Sequence, residues 1–210
     1  MRDLPKPLAI AAVLLAAGCS SVLAPQPDQS KFFVLTGAQP KAETTAASSG
    51  DMAIGLGPVK LPAYLDRSEI VTRVEPNRLD LSDNDRWAEP LSSNFRNVLA
   101  ADVASQLPNT QIVPFPWYST VRLDYTVEVN VDRFERNKSG ATLLIARWTI
   151  HDGNTNKLLA SRDSTFKETA KSASMEDSVA AMSKDVDNLS IEMASEMRRL
   201  TNMTSAEALP

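Results

Sequence analysis

Val121-Arg122-Leu123-Asp124-Tyr125-Thr126-Val127-Glu128-Val129-Asn130-Val131-Asp132 places an apolar or aromatic residue at every odd position and a polar one at every even position. Side chains of a strand alternate between faces, so this period of two predicts a strand with one dry face and one wet face. Sheets with a wet face are characteristically antiparallel. The chain beyond it agrees. Residues 141–151 and 157–166 flank Asp152-Gly153-Asn154-Thr155-Asn156, whose residues accept positive φ, and this pattern predicts an antiparallel hairpin.

Two other stretches repeat at helical spacing. Leu91, Phe95, Val98, Leu99, Val103 and Leu107 fall on one face of a helix expected over about residues 87–107, capped near Asp83 or Asp85 and stopped by Pro108. Met175, Val179, Met182, Val186, Leu189, Met193, Met197 and Leu200 recur at steps of three and four along a longer helix with a charged opposite face. Upstream, Phe32-Phe33-Val34-Leu35 and residues 52–59 read as strands, and Gly55, Gly57 and Pro58 mark a bulge or a close backbone approach in the second. Residues 69–74 and 78–81 flank Glu75-Pro76-Asn77 and predict a hairpin. Strands, a helix, more strands and a final helix give an α+β fold: an antiparallel β-sheet with two amphipathic helices packed on one face.

Domain organisation follows from composition. The chain has 210 residues, 43% hydrophobic and 23% charged, enough for one domain with a proper core. Residues 1–18 read as a signal peptide: Arg2 and Lys6 lead, residues 8–17 form an uncharged apolar run too short to span a bilayer, and small residues precede Cys19. Residues 19–30, with Pro25 and Pro27 among small polar neighbours, read as a lipidated cysteine and flexible tether. The single domain is expected over 31–200, with a low-complexity loop at 37–51 and a frayed tail at 201–210.

The residues exclude most chemistry. Cys19 is the only cysteine and His151 the only histidine, no metal-ligand spacing occurs, and no lysine and serine follow Gly57 at phosphate-loop spacing. His151 reads as a solvated turn residue, and the Asp83 and Asp85 carboxylates as helix caps. The methionine-lined helix could offer a soft surface, but core packing explains its pattern better. Pro114-Phe115-Pro116-Trp117-Tyr118 is a rigid aromatic loop suited to a half-wet contact or to folding over the core. Cleavage before Cys19 would remove Arg2, Lys6 and Asp3 and move the formal net charge from −4 to about −5, which disfavours a nucleic-acid partner.

Leu15-Ala16-Ala17-Gly18-Cys19 resembles the bacterial lipobox, in which the cysteine sulfur receives a diacylglycerol and the peptide is cut before it. The resemblance implies a membrane partner through that lipid and no cofactor beyond the covalent diacylglycerol on Cys19. Ser20 stands where lipoproteins kept in the inner membrane often carry aspartate, which implies sorting to the outer membrane. Two internal blocks, Leu61-Pro62-Ala63-Tyr64-Leu65-Asp66-Arg67-Ser68-Glu69-Ile70-Val71-Thr72-Arg73 and Arg86-Trp87-Ala88-Glu89-Pro90-Leu91, are similar to the ABC-type transport auxiliary lipoproteins of the paraquat-inducible PqiC type.

That resemblance implies an outer-membrane lipoprotein facing the periplasm and serving an MCE system that moves lipids between membranes. It implies a non-catalytic docking element for a periplasmic MCE-domain protein that supports envelope integrity, and it allows a ring of identical subunits. It carries over Tyr64, Leu65, Asp66, Arg67 and Arg73, with Arg86, Trp87, Glu89 and Pro90, as motif residues. Salt bridges and helix capping that fix the fold are the first roles expected of them, ahead of direct partner contact. Two other readings stay open: a carrier holding lipid between the sheet and the methionine-lined helix, and a purely structural envelope lipoprotein.

Overall fold

A computed structural model describes residues 28–37, 52–117 and 121–207. The signal segment, Cys19 and most of the tether, nearly all of the 37–51 loop, and Tyr118 of the aromatic loop lie outside the described residues.

The α+β class is borne out. Strands β1 (Lys31–Phe33), β2 (Met52–Lys60), β3 (Glu69–Glu75), β4 (Arg78–Trp87), β5 (Thr110–Pro114), β6 (Tyr125–Asn137), β7 (Thr142–Asp152) and β8 (Leu158–Phe166) form one sheet, and helices α1 (Leu91–Gln106) and α2 (Met175–Glu207) pack on it and on each other. The sheet is mixed, however. The ladders β3–β4, β6–β7 and β7–β8 are antiparallel as expected, while β1–β4, β2–β5, β2–β6 and β3–β6 are parallel. Strong alternation on β6 was legible as a half-wet strand, but alternation does not report the direction of the neighbours.

Strand β6 organises the sheet. Along one edge β7 pairs with it from Tyr125 to Arg136. The other edge is shared end to end: β2 lies beside Tyr125 to Asn130, and β3 beside Arg136 and Asn137. Between them the chain makes a 3-10 turn at Ala63–Leu65. A bulge between Val131 and Arg133 shifts the phase of β6, so the inward set passes from Val127, Val129 and Val131 to Phe134.

The core lies between this sheet and the helices. Trp148 of β7 is fully buried and donates its indole N–H to Ser164 Oγ at 2.9 Å, which satisfies the one polar group of a large apolar side chain. Phe95 of α1 meets Phe134 of β6 edge to face, centroids 5.1 Å apart. Met182, Met193 and Met197 are each 1% exposed, so the methionine face of α2 is packed core. That helix runs to Glu207, beyond the end expected after Leu200.

The start of α1 differs from expectation. Asp83 and Asp85 belong to β4, and the helix begins at Leu91 after Pro90, with no side-chain cap. Proline suits the first turn of a helix but not its interior, because it lacks an N–H and clashes with the preceding turn. A helix from residue 87 would have carried Pro90 inside it, so β4 instead continues to Trp87. Strand β5 was not anticipated: its short run between Pro108 and Pro114 carries too little pattern. The β2 glycines behave as expected. A Cβ on Gly55 would stand 2.7 Å from both Leu123 and Trp117, and Gly57 has φ of 120°. The aromatic loop folds back over this strand, with Trp117 donating to the Val113 carbonyl at 2.9 Å.

One buried charge stands out on α2. Asp185 is fully buried; its Oδ2 accepts from the Thr142 hydroxyl at 2.6 Å, and its Oδ1 has no partner among the described residues. Burial pushes its pKa up to about 7, against the Thr142 hydrogen bond and with the charge of Glu168 adding to the rise. An unfolded aspartate titrates near ~3.9, so the folded state binds the extra proton between those values, and stability falls as pH rises through about 7. Asp185→Asn, neutral throughout, should raise the melting temperature at pH 8.5 by about 3 °C or more and by clearly less at pH 5, where only part of the loss has accrued. An equal shift at both pH values in thermal scans would refute the linkage.

Candidate functional site

The two sequence blocks meet in space. Trp87 N–H donates to the Ser68 carbonyl at 2.7 Å, and Arg86 Nη1 donates to Ser68 Oγ at 3.2 Å and Glu69 Oε1 at 3.3 Å. The end of β4 is thereby laid along the start of β3. The 3-10 turn supplies one wall, with Asp66 N–H bonded to the Ala63 carbonyl at 3.1 Å, and Pro90 at the start of α1 supplies another. Between them is a pocket of about 360 Å³, lined by Asp66, Arg67 and Ser68 from the first block and Trp87, Ala88, Glu89 and Pro90 from the second.

Below the surface, a second arrangement holds the turn in place. Tyr64 projects from it to the gap between β2 and β3 and donates its hydroxyl to Glu135 Oε2 at 2.6 Å. Glu135 Oε1 accepts from Arg73 Nε at 2.7 Å and from Arg133 Nε and Nη2 at 2.8 and 2.6 Å. Glu135 is only 2% exposed. Burial alone would raise its pKa, but the hydrogen bonds from Tyr64, Arg73 and Arg133 outweigh it and hold the carboxyl below its ordinary value. The Tyr64 phenol is pushed up to about 12, by burial first and then by the bond to the Glu135 charge. Neither group is poised to exchange protons near neutrality; both are locked.

The nine motif residues therefore divide. Tyr64, Leu65, Arg73, Arg86 and Trp87 fix the fold through the Glu135 latch, the strand pairing and the core. Asp66, Arg67 and Glu89 are exposed, and among the described residues none of them enters an ion pair. Pro90 starts α1 by its backbone, and Glu89 does not cap it. The expectation of fold-fixing salt bridges thus holds for Arg73 and Arg86, while the expected helix capping is absent. Glu135 and Arg133 escaped the sequence reading, although a signal existed: Phe134 breaks the odd-numbered apolar series and marks the bulge that turns its neighbours inward.

Removing the shared acceptor should be costly. Glu135→Ala leaves two guanidinium groups facing a vacated polar site and is expected to destabilise by roughly 3 kcal/mol, the low end for a broken buried pair because both arginines reach water. Tyr64→Phe should cost about 1–2 kcal/mol alone and almost nothing in the Glu135→Ala background. Urea unfolding of the three variants reads the coupling, and additive losses would show that Tyr64 is held by something else.

Comparison with known proteins converges on one family. The family model for the ABC-type transport auxiliary lipoprotein component matches residues 33–194, a span containing both sequence blocks and Glu135. The intermembrane transport lipoprotein PqiC of Escherichia coli strain K12 is 28% identical over 143 residues, covering 68% of this chain and 72% of that protein. PqiC of Shigella flexneri gives the same identity and coverage. Among solved structures, an uncharacterized protein superposes with a TM-score of 0.67 at 20% identity, covering 80% of this chain and 98% of its own. A Xanthomonas campestris protein gives 0.67 at 17% identity, covering 84% and 99%. At these identities the structural likeness is one of fold.

Proposed function

The chain belongs to the ABC-type transport auxiliary lipoprotein component family, a family of transport accessories and not of enzymes, and on that premise we propose that it serves an intermembrane lipid-transport system as a docking element. In this reading Cys19 carries a diacylglycerol that anchors the chain in the outer membrane, with the folded domain facing the periplasm and supporting envelope integrity. The partner is a periplasmic MCE-domain protein, met by a ring of identical subunits.

One observation carries the reading: the chain is similar to PqiC, named as an intermembrane transport lipoprotein, and the family match over residues 33–194 contains the Asp66–Pro90 pocket. The pocket suits contact with a protein better than turnover of a substrate. Its lining combines apolar Trp87, Ala88 and Pro90 with Asp66, Arg67 and Glu89, which enter no ion pair among the described residues. Apolar surface bordered by charge is the make-up of a protein interface, in which apolar groups exclude water and charges set orientation. The packed methionine face of α2 weighs against a carrier with its ligand between sheet and helix.

Crosslinking in native membranes followed by pull-down tests both halves of the reading. Wild type should recover an MCE-domain protein from outer-membrane fractions. Cys19→Ala should leave that fraction, and Arg67→Glu should stay in it yet lose most of the partner. Wild type recovered from outer membrane without any MCE-domain protein would leave a structural envelope role instead.

A further inference from the structure

Behind the latch, at the end of the sheet where β3, β6 and β7 approach the chain leaving β8, lies a second pocket of about 360 Å³. Its lining carries four cations, Arg73, Arg133, Arg136 and Lys167, and two carboxylates, Glu135 and Glu168. Arg136 is spent on the Asn137 and Ala173 carbonyls, each at 3.2 Å, which leaves Arg73, Arg133 and Lys167 around the Glu135 carboxylate. That carboxylate is already saturated: its two oxygens accept from Tyr64, Arg73 and Arg133 at 2.6 to 2.8 Å. Arg73 spends a further donor on the Pro76 carbonyl at 2.8 Å.

What remains is an excess of directed positive charge. Among the described residues, Arg73 Nη2, Arg133 Nη1 and the Lys167 ammonium donate to no protein atom. The other carboxylate of the lining, Glu168, accepts from the neutral Asn188 Nδ2 of α2 at 2.8 Å and keeps its charge, so four cations stand against two carboxylates. The arginines are also held rigidly, because both guanidinium planes are fixed by the same buried Glu135. Fixed guanidinium forks bind tetrahedral and planar oxyanions well, since little side-chain freedom is lost on binding.

We propose that this pocket binds a phosphate-type oxyanion, held between Arg73, Arg133 and Lys167, with Glu135 acting as the positioning residue for the two arginines. Arg73 and Arg133 present their free N–H groups to the oxygens, and Lys167 closes the open side as a mobile point charge. Inorganic phosphate and the phosphodiester of a lipid head group share this chemistry. The proposal rests on the charge arrangement at this end of the sheet and does not depend on docking at the Asp66–Pro90 pocket.

Calorimetric titration of the detergent-solubilised full chain with inorganic phosphate, and separately with dihexanoyl phosphatidylglycerol below its micellar concentration, tests it. Saturable binding of both probes identifies a site for the oxyanion itself; binding of the lipid alone identifies a head-group site. Lys167→Gln, an exposed change that should leave the melting temperature unaltered, is expected to weaken whichever binding is seen by at least about fivefold. Arg133→Gln should abolish it. Absence of saturable heat with either probe, or binding that Lys167→Gln leaves unchanged, overturns the proposal. The comparison of the two probes fails or succeeds independently of partner recovery in the pull-down.

Discussion

The buried carboxylate of Glu135 is the point on which the architecture turns. Strand β6 offers one edge to two successive strands, and a gap between β2 and β3 follows from that division. Something must hold the intervening turn against the sheet. Tyr64 does so by reaching Glu135 Oε2, while Arg73 ties the turn end of the β3–β4 hairpin to Oε1 of the same carboxylate. A buried carboxylate is tolerable only when its lone pairs are filled. Here the bulge between Val131 and Arg133 brings a second arginine into range and completes the set. The bulge, the gap and the latch are thus one feature seen from three sides.

Sharing one carboxylate between two arginines has an electrostatic consequence. The acid is stabilised as an anion despite its burial, yet its single charge cannot neutralise both guanidinium groups. The excess faces the pocket lined by Arg73, Arg133 and Lys167. One buried residue therefore bears on two pockets, through Tyr64 on the turn that leads to Asp66 and through Arg73 and Arg133 on the cationic lining.

Much of this was legible in the sequence, and the failures have physical reasons. Periodicity found β6, the β7–β8 hairpin and the methionine face of α2, because each buries one face along its whole length. It failed at Asp83 and Asp85, where acidic residues ahead of an apolar run imitate helix caps; the stronger signal was Pro90, which the helix could accept only in its first turn. The parallel ladders were invisible, since strand direction depends on crossover connections and not on alternation. Strand β5 was missed because its pairing to β2 supplies what its own five residues do not. The motif blocks were legible as a group, but their division of labour was not. Glu135, the partner of Tyr64 and Arg73, lies 71 and 62 positions away in the chain, and nothing local to either block points to it.

That division explains why residues with opposite duties stand side by side in one block. The turn at Ala63–Leu65 is three residues long, so a side chain turned inward is followed within two positions by side chains turned outward. Tyr64 faces the latch, Leu65 enters the core, and Asp66 and Arg67 face the solvent. A turn so short has no slack to absorb a shift of Tyr64 before it reaches Asp66. The exposed charges lining the pocket are therefore held by a buried hydrogen bond that never touches them, and the surface chemistry of this block cannot be separated from the interior that positions it.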